Sequence, residues 1–433
     1  MAKKNSSSNK TAKKVVKSAT KMAKKNPKGF AILVVVLIII AALAVGGFFL
    51  WNNVIAPRME QNKANSGSNE PQSSEPIPNS SSPSSSSYSE SSSPSSSSSA
   101  PTSSSSSTPF VGDVAPMDIY FLELGNKYTG DSTFIKAGDV DILIDAGSRQ
   151  NSASTITAFV DQHCSDGKLE YVIATHAHQD HIAGFVGSNA AEGVFKHYKI
   201  DTLIDFSLTN ATSSIYNNYV SLRDQKIESH DIAHHYTAND CIQGDNGAQK
   251  VYDLAPGIKM EILDQKFYRE KTSDENDYSV CALFTQGNSH YLFTGDLEKD
   301  GETSLVSLNT LPEVELFKGG NHGSYTANTD ALLSVIKPKN VCICCCAGSE
   351  EYTDNPDNMF PAQLAINRMA KWTDKIYVTT LMVDYKNGVY QSMNGNINFH
   401  STAGKEYLIT GSNNSTILKD TDWFKNNRTW PTY

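Results

Sequence analysis

Residues Glu170–Gly184 read EYVIATHAHQDHIAG: an apolar, β-rich run that breaks into three histidines and an aspartate within six positions. Glu170–Thr175 has the composition of a buried strand, and the polar residues after it belong to the loop leaving that strand. Imidazole and carboxylate are the side chains that borderline and hard divalent cations prefer. On a turn leaving a strand, His176 and His178 are alternate residues and can reach one ion. Asp180 and His181, at the start of the following helix, can reach a second. A lone surface histidine would need no explanation, but HxHxDH spacing behind a strand predicts a metal-binding loop.

The flanking sequence predicts a layered α/β domain. Met117–Leu124, Ser132–Ala137 and Val140–Asp145 read as successive strands joined by glycine-containing turns. A helix follows at Ser152–Cys164. Further strands are expected at 258–263, 278–285, 290–295, 313–317, 340–346 and 375–380, with helices at 212–229, 298–309, 326–336 and 361–371. Strand clusters with helices between them imply two packed sheets with helices outside. The seven cysteines do not form a disulfide framework, because four of them fall in Val341–Cys346, VCICCC. Alternation puts Cys342, Cys344 and Cys346 on one face of that strand and Cys345 on the other. One straight strand cannot converge four thiolates on a metal, so these are read as small buried hydrophobes.

The order of motifs resembles the metallo-β-lactamase superfamily, whose fold is an αββα sandwich. Within it, the pattern is most similar to the exported hydrolase domain of ComEC-type competence proteins. The carriers are ELGNKYTGD (Glu123–Asp131), LIDAG around Asp145, HAHQDH, NDYS (Asn276–Ser279), FTGD ending at Asp296 and KGGNHGS around His322. The resemblance covers roughly residues 117–400 and lacks any multi-pass channel segment. It implies a metal-ligand set of His176, His178, Asp180, His181, Asp296 and His322, with Asp296 bridging two divalent ions, zinc or manganese. It also implies that Asp145 orients the metal loop, that Asp180 takes part in the reaction as well as in binding, and that Lys318 neutralises developing phosphate charge. Asn276, Asp277, Asn321 and Ser324 are possible further ligands or substrate contacts.

Several positions depart from that pattern. Glu123 stands where the opening usually has Asp, and the HHGS pair has become Asn321-His322. Asn276 and Asp277 hold the place of a third histidine, and Phe360 in EEYTDNPDNMFP stands where a histidine is expected. Oxygen-rich ligands of this kind favour manganese over zinc to a small degree. His234, His235 and His290 read as surface residues, the first two with a substrate-lid role as the alternative.

The N-terminal quarter is of another kind. Residues 1–30 carry ten Lys and no acid, and Ala31–Trp51 holds 21 positions without a charge. As a helix that run spans roughly 30 Å, the thickness of a bilayer core. The lysines place residues 1–30 in the cytoplasm and the rest outside the cell membrane. Ala42-Leu43-Ala44 resembles a signal-peptide cleavage site, but the apolar run continues past it, so a retained single-pass anchor is expected. Residues 52–110 form a Ser/Pro-rich linker, with 25 Ser in positions 61–110. Such a segment is expected to stay disordered, its fifty-residue Ser-rich stretch averaging roughly 40 Å end to end.

The remaining domain, 111–433, is acidic. Of 37 Lys+Arg, ten lie in 1–30 and two in 31–110, leaving 25; of 46 Asp+Glu, four lie before 111, leaving 42. A balance of −17 excludes a broadly basic nucleic-acid-coating surface. A short site whose metals supply the positive charge remains compatible with it. The expected function is a membrane-anchored, extracellular hydrolase using a metal-bound hydroxide, acting on phosphodiesters, nucleic acid included. Ester, lactone or thioester hydrolysis is the alternative chemistry, and a non-catalytic metal-binding surface module the alternative class.

Overall fold

The computed structural model describes residues 112–433. The basic tail (1–30), the expected transmembrane helix (31–51) and the whole Ser/Pro-rich linker (52–110) lie outside the described residues. Among the described residues no helix is long and apolar enough to cross a membrane.

Two eight-stranded mixed sheets form the domain. The first contains β1 (Met117–Phe121), β2 (Thr133–Ala137), β3 (Val140–Ile144), β4 (Lys168–Ile173), β5 (Lys199–Asp205) and β6 (Ile232–Thr237). The second contains β7 (Val251–Ala255), β8 (Ile258–Leu263), β9 (Cys281–Gln286), β10 (Ser289–Phe293), β11 (Leu316–Lys318), β12 (Val341–Ala347), β13 (Ile376–Asp384) and β14 (Val389–Ser392). The chain then returns to the first sheet through β15 (Ile397–Thr402) and β16 (Glu406–Gly411), giving the order β16-β15-β1-β2-β3-β4-β5-β6 opposite β14-β13-β12-β11-β10-β9-β8-β7. Both sheets change direction in the same way. β2 and β3 are antiparallel and β3 and β4 parallel; β9 and β10 are antiparallel and β10 and β11 parallel.

The sheets pack face to face through aromatic pairs such as Phe121–Phe293 (6.1 Å) and Tyr291–Phe399 (5.2 Å). Helices α1 (Ser152–Val160), α2 (Gln179–Val186), α3 (Val194–His197), α4 (Ser214–Glu228) and α5 (Ala238–Gln243) accompany the first sheet. Ile156, Phe185, Phe195 and Tyr219 bury their side chains in its core. Helices α6 (Lys299–Leu308), α7 (Asp330–Ile336), α8 (Gln363–Met369) and α9 (Asp422–Asn427) cover the second sheet through Leu305, Leu333, Ile366 and Phe424. The four layers are those of the expected αββα sandwich. β12 shows the alternation directly. Cys342 and Cys344 face the core between the sheets, while Ile343 and Cys345 face the helices, and all seven cysteines are buried and free.

Ten strands fall where the sequence pattern puts them. The six it misses are the outer ones: β15 and β16, β5 and β6, β7, and β14. Both edges of both sheets are among them. Edge strands expose one face, and β14 and β16 read VYQS and EYLITG with no fully buried residue, so they lack the apolar run that marks a core strand.

Candidate metal centre

The histidine loop sits at the carboxyl end of β4, and His178 is the residue before α2, so Asp180 and His181 lie in that helix's first turn. Backbone bonds lace it to its neighbours. Ala146 N–H donates to the His181 carbonyl (2.7 Å), Gly184 N–H to the Ala146 carbonyl (2.5 Å) and Asp131 N–H to the Asp180 carbonyl (3.0 Å). The approach is so close that a Cβ on Gly147 would fall 1.5 Å from the Asp180 carbonyl oxygen. The glycine of LIDAG is therefore needed for the two loops to meet.

From the second sheet, Asp296 comes from the turn after β10, and His322 from the Gly320–Gly323 turn after β11. Both Asn321 (φ 45°) and His322 (φ 52°) are left-handed there, a backbone cost met where a side chain must be aimed. The six expected ligands come together. His176 Nε2 and His178 Nδ1 are 2.9 Å apart. His181 Nε2 lies 3.0 Å from Asp296 Oδ2 and 3.3 Å from His322 Nε2. His322 Nε2 is 3.0 Å from Asp296 Oδ2 and 3.4 Å from Asp180 Oδ2.

The hydrogen bonds on the far side of each ring decide what those near atoms are. His181 Nδ1 lies 2.7 Å from Asp145 Oδ2, and His322 Nδ1 lies 2.9 Å from the Cys344 carbonyl. Carboxylate and carbonyl oxygens only accept, so each Nδ1 carries the proton and each Nε2 in the neutral ring presents a lone pair. Two imidazole lone pairs and two carboxylates thus converge within hydrogen-bonding distance, an arrangement of acceptors that is repulsive without a cation between them. Burial works against charge on His181, but Asp296 and Asp145 outweigh it and push its pKa up to about 10. His322 is held well above the usual imidazole range in the same way, burial being overcome by Asp296 and Asp131. The centre demands positive charge, and the donor set fits divalent metal ions.

Other expected residues are placed as follows. Asp145 is buried, with φ 59°, and is consumed by His181 and by the Thr175 N–H and hydroxyl, each at 2.8 Å. Asn276 lines the pocket, donates to Glu298 Oε1 (3.1 Å), and keeps a buried Oδ1 with no hydrogen-bond partner. Asn321 donates to the same Oε1 (2.9 Å), and Ser324 bonds Thr326 (2.8 Å) on the pocket wall. Two expectations are corrected. Lys318 does not face the pocket: it is buried behind Asp296, bonded to Asp131, to the Gly295 carbonyl (3.0 Å) and to Asp296 (3.3 Å). It holds carboxylates in place, and no substrate phosphate can reach it there. Asp277 turns away from the ligands, accepting from Glu298 N–H (3.3 Å) just before α6. His235 pairs with Asp205 (2.9 Å), His234 stacks on Tyr236, and His290 is half-buried beside Thr285; none of the three lines the pocket.

Three residues were not read as part of the site. Asp131 contributes a ligand atom to a group with His181, Asp296 and His322, all such atoms lying within 4.8 Å of one another. Its signal was its place at the end of ELGNKYTGD. Glu298, two residues beyond Asp296, gathers Asn276, Asn321 and Thr326, and burial pushes its pKa up to about 7 against those hydrogen bonds. Tyr352 donates to Asp180 Oδ2 (2.5 Å). Glu298 and Tyr352, with Asp180, Asp296 and His322, line a cavity of about 630 Å³.

Comparison with known proteins agrees with the motif reading. Residues 125–196, from the opening turn through the histidine loop, match the model of the Metallo-beta-lactamase superfamily. The resemblance to that superfamily therefore holds for this segment. The chain is 25% identical over 182 residues to ComE operon protein 3 of Bacillus subtilis, covering 41% of this chain and 20% of that protein. It thus spans about one fifth of the curated relative it matches. Among solved structures, the metallo-beta-lactamase fold protein YhfI from Bacillus subtilis aligns at 12% identity and TM-score 0.33, over 64% of this chain and 99% of YhfI. CmlA, a diiron beta-hydroxylase from Streptomyces venezuelae, aligns at 12% identity and TM-score 0.29, over 60% of this chain and 44% of CmlA.

Proposed function

We propose that this protein is a divalent-metal-dependent hydrolase that cleaves phosphodiesters. The observation that carries the reading is the convergence of the His181 and His322 Nε2 lone pairs with Asp296 and Asp180, each imidazole locked in its tautomer from behind. Bound there, two divalent cations, zinc or manganese, would supply Lewis acidity and lower the pKa of water.

The chain's own groups do the rest. His176 and His178 would hold one cation and Asp180, His181 and His322 the other, with Asp296 between. Asp145 keeps His181 oriented, and the Asp131–Lys318 pair keeps Asp296 from rotating. Tyr352 fixes Asp180 from the pocket side. Asn276 Oδ1, oriented by Glu298, offers a neutral oxygen at the place where a third histidine is missing. In the reaction a water oxygen bonds to phosphorus, one ester P–O bond breaks, and one hydrogen of the water ends on the leaving alcohol. The apolar run Ala31–Trp51 and the Ser-rich stretch after it support placing this domain outside the cytoplasm on a membrane anchor.

The test uses the full chain in detergent, stripped of metal and reloaded with manganese or zinc. Bis(p-nitrophenyl) phosphate, single-stranded DNA and a lactone are the substrates, and metal content is measured by mass spectrometry. Metal-dependent release of p-nitrophenol is expected. Lactone turnover without diester turnover would replace the phosphodiesterase reading.

A further inference from the structure

The walls of the cavity differ in kind from its floor. A ladder of rings climbs from the metal ligands to solvent: His322 to Phe360 at 5.8 Å, then Phe360 to Tyr352 at 5.4 Å, both pairs near 30° between planes. Tyr352 is 53% exposed, and Tyr325, which also lines the cavity, is 43% exposed. Among the described residues only four Phe, Tyr or Trp side chains are 36% or more exposed, and two of them stand here, with Trp372 and Tyr433 elsewhere. Exposed aromatic rings beside a polar site are platforms for flat ligand groups.

Charge narrows the ligand further. Arg149 is the only Lys or Arg lining the cavity, and it is already bound to Glu351 (2.6 Å) and stacked 4.0 Å over Tyr128. The rim segment 349–358 carries Glu350, Glu351, Asp354 and Asp357 and no base. A long strand of DNA or RNA needs a track of cationic side chains to neutralise successive phosphates. The cavity lining offers no such row of cations, and the acidic segment beside it disfavours a second and third phosphate. The one phosphate that can be neutralised is the one over the metal centre. A cavity of about 630 Å³ suits a small molecule.

We infer that the substrate is a short phosphodiester flanked by flat aromatic groups, of the size and chemistry of a dinucleotide, held by stacking on Tyr325 and Tyr352, and not a long nucleic-acid strand. This deepens the phosphodiesterase reading and rests on it. Water adds to the single bridging phosphorus, the ester bond to one nucleoside oxygen breaks, that oxygen takes a hydrogen of the water, and one mononucleotide and one nucleoside leave.

The experiment compares a linear dinucleotide, a long single-stranded DNA and bis(p-nitrophenyl) phosphate as substrates of the manganese-loaded full chain. The dinucleotide is expected to be cleaved with kcat/KM at least about tenfold above that for the long strand. Its KM should change less than about threefold between about 50 and 200 mM salt, since few phosphates are contacted. Tyr325→Ala should raise KM for the dinucleotide about tenfold while kcat stays within about twofold, and Tyr325→Trp should restore KM. Calorimetric binding of the product mononucleotide should weaken in Tyr325→Ala to match. If none of the three substrates is hydrolysed, the phosphodiesterase reading falls and this inference with it. If bis(p-nitrophenyl) phosphate is hydrolysed but the long strand is preferred, or KM climbs steeply with salt, this inference alone is overturned. Unchanged KM in Tyr325→Ala also overturns it.

Discussion

β3 and β10 hold equivalent places in the two sheets. Each is the strand where antiparallel pairing gives way to parallel pairing, and each is followed by an aspartate, Asp145 and Asp296. The next parallel strand, β4 or β11, leads in each case to a histidine turn. Carboxyl ends beside such a switch are where α/β sheets place their ligands. Yet the two aspartates do opposite work. Asp145 spends both oxygens on protein donors, and burial pushes its pKa up with His181 pulling against it. Asp296 faces the cavity, and burial there is outweighed by His181, His322 and Lys318, which hold its carboxyl well below the usual range. A topological position supplies a place for chemistry; the partners within 3 Å decide which chemistry.

Substituting the two aspartates tests that distinction most sharply. Asp296→Ala should abolish metal-dependent hydrolysis, by about three orders of magnitude or more, and lower the content of both metals, because several kcal/mol of Lewis-acid stabilisation goes with the bridge. Asp145→Asn should cost about 10–100-fold in metal affinity, the usual effect of a group that orients a ligand, with activity restored by excess metal. Equal losses in the two variants would erase the contrast.

The Asp131–Lys318 pair braces Asp296 from behind. Asp131→Ala leaves a buried ammonium short of a partner and should lower stability by about 3 kcal/mol in urea unfolding. A neutral result would mean that Asp296 and the Gly295 carbonyl suffice for Lys318.

Acidity separates the metal-free from the loaded state. With His181 at about 10 against roughly 6.5 in the unfolded chain, its proton adds stability that is whole below about pH 6.5 and is lost as pH rises through 10. The melting temperature of chelator-treated protein should therefore fall from about pH 7 to about pH 10, and metal should abolish the fall by taking the proton's place. A flat profile in the metal-free chain would show that Asp296 and Asp145 do not act on His181 as their distances imply.

Asn321→His is the mildest change. The side chain already lines the cavity, so a restored imidazole should shift preference from manganese toward zinc by up to about tenfold without loss of fold. Unchanged metal selectivity would mean that the bond from Asn321 to Glu298 sets geometry only.

The sequence alone determined what depends on local spacing. A strand followed by HAHQDH places four donors within two turns of chain whatever the rest does, and core strands such as VDILID and VCICCC announce themselves by apolar runs. Asp296 and His322 were legible through the resemblance of FTGD and KGGNHGS to the superfamily's motifs, not through local spacing. Tertiary structure decided what depends on partners distant in the chain. The tautomer of His322 rests on the Cys344 carbonyl of a neighbouring strand, Lys318 was turned from substrate to scaffold by Asp131, and Tyr352 reached Asp180 from 172 residues away. The sheet edges too were invisible beforehand, since a strand with one face in water carries no run of apolar residues to mark it. A side chain's type limits what it can bind, but which of several carboxylates a buried cation meets is set only when the two sheets close over one another.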